Sequence, residues 1–332
     1  MGLRRAIVSL ALVALPVAAQ QSESPLPILD VHLHVSASGA FGRPAPSICS
    51  GAAGKLISVL NSINKDADTL STDCASRLSA ADTDENLKEK TLAILREYNI
   101  VAVAMLPRAT AKQWPTAEPT RIIPGLFLTA DQKFDRSRLQ EERARGGFAV
   151  LGEAVTPQEG FSPGDPDWDR YLALAEEQDI PLGIQMGAEP PGATYAFGTA
   201  RYPNEYADPL VLKEALARHP RLRLYVMHAG WPYCEGMIAL MSAHPQVYLD
   251  VSLIDWYLPR QQFHNYLRRL VRAGFAKRIM FGSDELIWPD AIKLAIESVT
   301  SADFLSAKQK RDILYNNAAK FLRFDAQRMT VQ

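Results

Sequence analysis

The stretch from Ile28 to Val35, ILDVHLHV, sets His32 and His34 two residues apart inside a short apolar run. Residues two apart in a β-strand point the same way. Asp30, His32 and His34 are therefore expected on one face, and Leu29, Val31 and Leu33 on the other. Two imidazoles aimed into one cavity fill a core poorly but ligate a metal well. Similar chemistry closes other apolar runs: Glu153 in LGEA, Gln185 in GIQMG, His228 in VMHAGWP and Asp284 in FGSDELIWP. Each has an ordinary explanation alone. A buried histidine is hydrogen-bonded, an aspartate after a Gly-Ser turn caps a helix, and a glutamate forms an ion pair. Together they are the donor types of a divalent-metal site.

The elements that must position them alternate. Strand-like runs fall at 27–35, 100–106, 121–127, 148–154, 180–186, 222–228, 247–252 and 278–283, with amphipathic stretches between most of them. Thr83 and Asn86 open one helix in a capping pattern. Asp208 and Pro209 open another, with proline at the first helical position. Eight β/α units predict an α/β fold, a single-domain (β/α)8 TIM-like barrel, in which strand C-termini converge on one mouth. An open doubly wound sheet is the rival, but no GxGxxG phosphate turn occurs. Residues 36–82 form a long, polar insertion after strand 1, on the mouth side, and are expected to be a lid or pocket wall. Of the six histidines, His219, His244 and His264 lie in or just beyond helices and read as structural.

The net charge is −1 and there is no basic run, which argues against a nucleic-acid binder. The N-terminus, MGLRRAIVSLALVALPVAAQ, pairs two arginines with an apolar run from Ala6 to Val17 that is short for a membrane span. Val17 and Ala19 fit a signal-peptidase site. Residues 1–19 are expected to be a signal peptide and residues 20–332 the exported domain, periplasmic or extracellular, with no membrane association after cleavage. In an oxidising compartment Cys49 and Cys74, both in the insertion, can pair and leave Cys234 free.

The motifs DVHLH, VMHAGWP, YLDVS and RIMFGSD resemble the amidohydrolase superfamily, in its amidohydrolase-related branch that also includes metal-dependent decarboxylases. The resemblance covers nearly the whole chain after the N-terminal segment. It implies a distorted (β/α)8 barrel with one or two divalent metals, often zinc. It implies that His32, His34 and Asp284 are ligands and His228 a catalytic residue or further ligand. Glu153 matches a position that bridges two metals in some members. One departure stands out: the strand-5 position usually carries histidine, and here it is Gln185, a weaker ligand for zinc.

The expected chemistry is hydrolysis of an amide, lactone or ester bond of a small molecule by a metal-activated water. Asp284 would move the proton, and His228 would polarise the carbonyl or stabilise the oxyanion. Nonoxidative decarboxylation of a small aromatic or enoic acid is the alternative. A noncatalytic binding protein that has lost its metal, as Gln185 allows, is another. Trp231, Trp256 and Trp288 lie just past strand ends and would line the pocket, whereas Trp168 reads as helix core. Trp114 also follows a strand. Arg43, Arg108 and Arg201 are candidate carboxylate clamps. A homo-oligomer is compatible with all of this.

Overall fold

The computed structural model describes residues 25–45, 47–51, 77–106, 113–129, 135–155, 162, 165–188 and 206–324. Eight parallel strands follow one another around a single sheet in chain order. They are β1 (Ile28–His34), β2 (Ile100–Leu106), β3 (Ile122–Leu128), β4 (Val150–Ala154), β5 (Leu182–Gln185), β6 (Leu224–Met227), β7 (Tyr248–Asp250) and β8 (Ile279–Met280). Every predicted strand is present, and helices fill the intervals, as a parallel sheet requires. Thr83 caps the helix Asp84–Glu97 by accepting the Asn86 N–H. Asp208 caps the turn Pro209–Leu212, which is a 3-10 segment leading into the helix Lys213–Arg218.

The last two strands are shorter than their apolar runs. The ring closes between β8 and β1 through separate contacts instead of a continuous ladder. Val31 N–H donates to the Phe281 carbonyl, Asp284 N–H to the His32 carbonyl at 2.7 Å, and His34 N–H to the Glu285 carbonyl. A lone parallel bridge joins Leu33 to Glu285.

The simple alternation expected for β1 does not hold. Its register against β2 shifts between Asp30 and Leu33, and an extra residue in a strand reverses which face later side chains use. Leu29 and Val31 therefore pack with Val101, Val103, Met105, Val150, Tyr225, Met227 and Met280, while Leu33 packs with Ala102 and Ala104 in the other cluster. The first cluster is the barrel interior. The Tyr225 hydroxyl on β6 donates to the Val31 carbonyl on β1, and those strands are not neighbours. The bulge thus lets one strand put apolar side chains in the barrel floor and imidazoles at its mouth.

The described ends of the insertion are tied to segments following β7 and β8. Ile48–Cys49 pairs antiparallel with Arg77–Leu78. Ser50 Oγ and Gly51 N–H both donate to the Trp256 carbonyl, and Ala81 N–H donates to the Ile287 carbonyl. Cys49 is in a disulfide and Cys234 is a free buried thiol; Cys74 lies outside the described residues. The lid expected over 36–82 rests largely on residues outside that description.

The interior tolerates no extra volume beside Tyr225. A Cβ added to Gly183 on β5 would stand 2.5 Å from Met227 Cε and 2.6 Å from the Tyr225 hydroxyl. Gly183→Ala is expected to destabilise the fold by about 1–3 kcal/mol through overpacking, read as a lower urea midpoint at unchanged slope.

Candidate metal centre

The imidazoles at the end of β1 meet carboxylates from β4 and from the segment after β8. His32 Nε2 and His34 Nε2 are 3.1 Å apart. His34 Nε2 lies 3.1 Å from Glu153 Oε2 and 2.9 Å from Asp284 Oδ1. His32 Nε2 lies 3.6 Å and 3.5 Å from the same two oxygens. Donor atoms about 2 Å from a tetrahedral zinc are about 3.3 Å from one another, so these separations suit a shared cation. Two imidazole nitrogens cannot bond each other and two carboxylates without protons or a cation among them. The donor set therefore fits a divalent metal.

The electrostatics carry the same mark. Burial opposes a charge on His34, but Asp284 and Glu153 outweigh it and push its pKa up to about 9. Burial likewise acts against His32, and Asp284, Asp250 and Glu153 hold it well above the ordinary range. Burial would raise Glu153, yet the two imidazoles hold it well below the usual carboxylate range. In effect protons on the rings balance the carboxylates, where a cation could replace them.

A second layer supports the first from behind. His32 Nδ1 is 2.9 Å from Ser252 Oγ and 3.4 Å from Asp250 Oδ2. His228 Nδ1 contacts the same hydroxyl at 3.1 Å, and its Nε2 looks towards Glu153 Oε1 at 3.9 Å. Burial raises Asp250, but His32, His228 and Ser252 hold its carboxyl below the usual range. His228 and Asp284 both adopt positive φ, 56° and 49°, a conformation uncommon outside glycine. Each is pinned by its own N–H, His228 to Asp250 Oδ1 and Asp284 to the His32 carbonyl.

His32, His34, Glu153, His228 and Asp284 thus come together. Gln185 ends β5 half-buried and makes no hydrogen bond to them among the described residues. Asp250 and Ser252 were not singled out as site residues in the sequence, although both lie in YLDVS. Their signal was two polar residues in a run otherwise suited to a buried strand. Trp256 and Trp288 are buried, with Phe41 stacked on Trp288 and the Trp256 indole N–H donating to the Ser283 carbonyl. Trp231 is half-buried, and Trp114 and Trp168 are buried. Arg43 is exposed; Arg108 and Arg201 lie outside the described residues. His219 sits between Asp169 and Glu176, His264 meets the Ser298 carbonyl, and His244 ends the helix Cys234–Ala243, all away from the cluster.

Residues 30–324 match a family model described as Amidohydrolase. Protein fluG of Emericella nidulans is 21% identical over 136 residues, 36% of this chain, and the match spans 16% of that protein's length. An amidohydrolase structure from Burkholderia multivorans with bound zinc superposes with a TM-score of 0.54 at 15% identity, covering 90% of this chain and 100% of that one. A dihydroxybenzoic acid decarboxylase from Polaromonas sp. JS666 with bound manganese gives 0.57 at 12% identity, covering 93% and 100%. At these identities the two structures show the shared fold.

The shifted groups predict how the metal-free protein responds to pH. A proton on His34 adds stability in full below its ordinary pKa of 6.5, and this is lost as pH rises through about 9. Burial also pushes Asp30 up to about 7 and Glu285 to about 8, so their ionisation weakens the fold in the same direction. The melting temperature of chelator-treated protein is expected to fall steadily from pH 6.5 to 9, and zinc to flatten that fall. Scanning fluorimetry with and without zinc checks it; a rise across this window in the chelated protein contradicts it.

Proposed function

The chain belongs to the amidohydrolase family, and from that footing we propose that it is a metal-dependent hydrolase acting on an amide, lactone or ester bond of a small molecule. The observation that carries the reading is the convergence of His32, His34, Glu153 and Asp284 at the mouth of the barrel. These four residues would hold a divalent metal, zinc suiting the mixed nitrogen and oxygen donors. Bound there, the metal supplies a Lewis acid that makes water nucleophilic near neutral pH.

The remaining work falls to side chains. Asp284 presents Oδ1 to the donor cluster and would take a proton from the attacking water and return it to the leaving group. His228, just past β6, turns its Nε2 towards Glu153 Oε1 at 3.9 Å and would meet a substrate bound beside the donor cluster. Phe127 stands edge-on to His34, ring centroids 6.2 Å apart, and offers an apolar wall to a planar substrate. Gln185, outside this network, would leave the metal with four protein donors and no fifth from β5.

Elemental analysis of the full-length protein is expected to find about one divalent metal per chain, and chelation to abolish turnover on a panel of lactones, esters and anilides. Asp284→Asn should lower kcat at least about a hundredfold. Release of CO2 from aromatic or enoic acids with no hydrolysis would instead favour decarboxylation. A chain that takes up no metal would favour the noncatalytic reading.

We also propose that the protein is exported after removal of residues 1–19. The disulfide at Cys49 is consistent with an oxidising compartment. N-terminal sequencing of protein recovered outside the cytoplasm is expected to begin near Gln20; a start at Met1 would overturn the proposal.

A further inference from the structure

We infer that Ser252 is a positioning residue that holds a proton on Nδ1 of two histidines at once, so that Nε2 is the ring atom His32 and His228 each leave to the pocket. The inference deepens the metal-centre reading above and rests on it for its functional meaning, though not for its geometry.

Hydrogen-bond direction decides the matter. Asp250 Oδ1 receives the His228 N–H at 3.0 Å and the Ser252 N–H at 3.1 Å. Backbone amides only donate, so this oxygen is an acceptor. Its third contact, 2.6 Å to Ser252 Oγ, must then be made by the hydroxyl proton. A hydroxyl has one proton and two lone pairs. With the proton committed to Asp250, the Ser252 oxygen can only accept. Its two remaining neighbours are His32 Nδ1 at 2.9 Å and His228 Nδ1 at 3.1 Å, so both must carry hydrogen. For His228 a second, independent contact agrees: Nδ1 lies 3.2 Å from the Ser252 carbonyl, which also only accepts.

Nothing is left over in this arrangement. The hydroxyl uses its proton and both lone pairs, with the residue fully buried. A Cβ on Gly282 would stand 2.9 Å from His32 Cβ and 3.0 Å from Ser252 Cβ, so glycine at that position is what lets β1, β7 and β8 draw close enough for the contact.

The two rings gain different things. His32 directs Nε2 at the space shared with His34, Glu153 and Asp284, so the atom that a cation would meet once it displaces the ring proton is Nε2. A neutral His228 likewise offers a lone pair and so acts as a base or further ligand. It can donate to a substrate oxygen only as the imidazolium. Carbonyl polarisation by His228, expected from the sequence, is therefore confined to its charged form.

The test is imidazole NMR on full-length protein labelled with 15N-histidine, loaded with zinc and assigned by single His→Gln variants, together with zinc titrations. His32 and His228 are expected to show protonated Nδ1. Ser252→Ala is expected to weaken zinc binding roughly tenfold or more and to expose the His32 Nδ1 proton to exchange. Ser252→Cys, close in size but a weak acceptor, should show the same loss and serves if the alanine variant fails to fold. A proton at Nε2 and none at Nδ1 of either ring in the wild type overturns the inference, as does a Ser252→Ala protein with zinc affinity within twofold and an unchanged spectrum. That second result leaves the metal reading standing. If the wild type takes up no zinc, the metal reading falls instead, and Ser252 is judged on the metal-free protein, where Ser252→Ala is expected to expose the His32 Nδ1 proton to exchange and an unchanged spectrum overturns the inference.

Discussion

Two imidazole nitrogens 3.1 Å apart, each 2.9 to 3.6 Å from the same two carboxylate oxygens and away from bulk water, cannot rest there unless something positive lies among them. That constraint governs the mouth of this barrel. His32, His34 and Glu153 are held there by the ends of β1 and β4, and Asp284 by the irregular chain after β8. Unbalanced carboxylates in a desolvated space repel, so the rings are driven towards the imidazolium form. Protons satisfy the charge without a preferred geometry. A divalent cation satisfies it with one, which is why the same packing serves as a metal site.

The carboxylates farther out are handled differently. Asp30 and Glu285 are fully buried, and burial is the leading cause of their raised pKa values of about 7 and 8. Asp255 is pushed well above the ordinary range by burial and by its acidic neighbours Asp30, Asp250 and Asp284. Burial draws these acids towards their protonated forms, whereas the imidazoles favour the ionised forms of Glu153 and Asp250. The region is therefore graded: Glu153 and Asp250 meet the imidazoles, while Asp30, Asp255 and Glu285 are governed first by burial. Without that grading, the like charges would add to the repulsion the site already carries.

Much of this could be read in the sequence because barrel strands bring their C-terminal ends to one place. His32, His34, Glu153, His228 and Asp284 each follow a run of apolar residues, and the topology does the rest. Strand parity was less dependable. It sets Leu29, Val31 and Leu33 on one face, but the extra residue in β1 parts Leu33 from the other two, which lie in the barrel interior; a bulge leaves no mark in an alternating pattern. Asp250 and Ser252 are not legible as site residues for a different reason. Their role depends on contacts to β1 and β6, and proximity of that kind is set by how far strands twist and how small Gly282 is. For the tryptophans, position after a strand does not say whether a side chain faces the pocket or the packed loops around it; Trp256 and Trp288 are buried.

The irregular closure between β8 and β1 now has a physical reason. A full parallel ladder would hold Asp284 in extended backbone and send its side chain along the alternation of β8. Ending the ladder at Met280 frees the following residues to turn. Asp284 then adopts a left-handed conformation that delivers its carboxylate to His34, with its N–H returned to the His32 carbonyl. The same device appears at His228, where the chain leaves β6 with positive φ and its N–H is captured by Asp250. Strained backbone of this kind persists only where surrounding bonds over-determine it. Here the bonds that do so end on the residues flanking the donor cluster, so the forces that close the barrel and the forces that orient its ligands are the same forces.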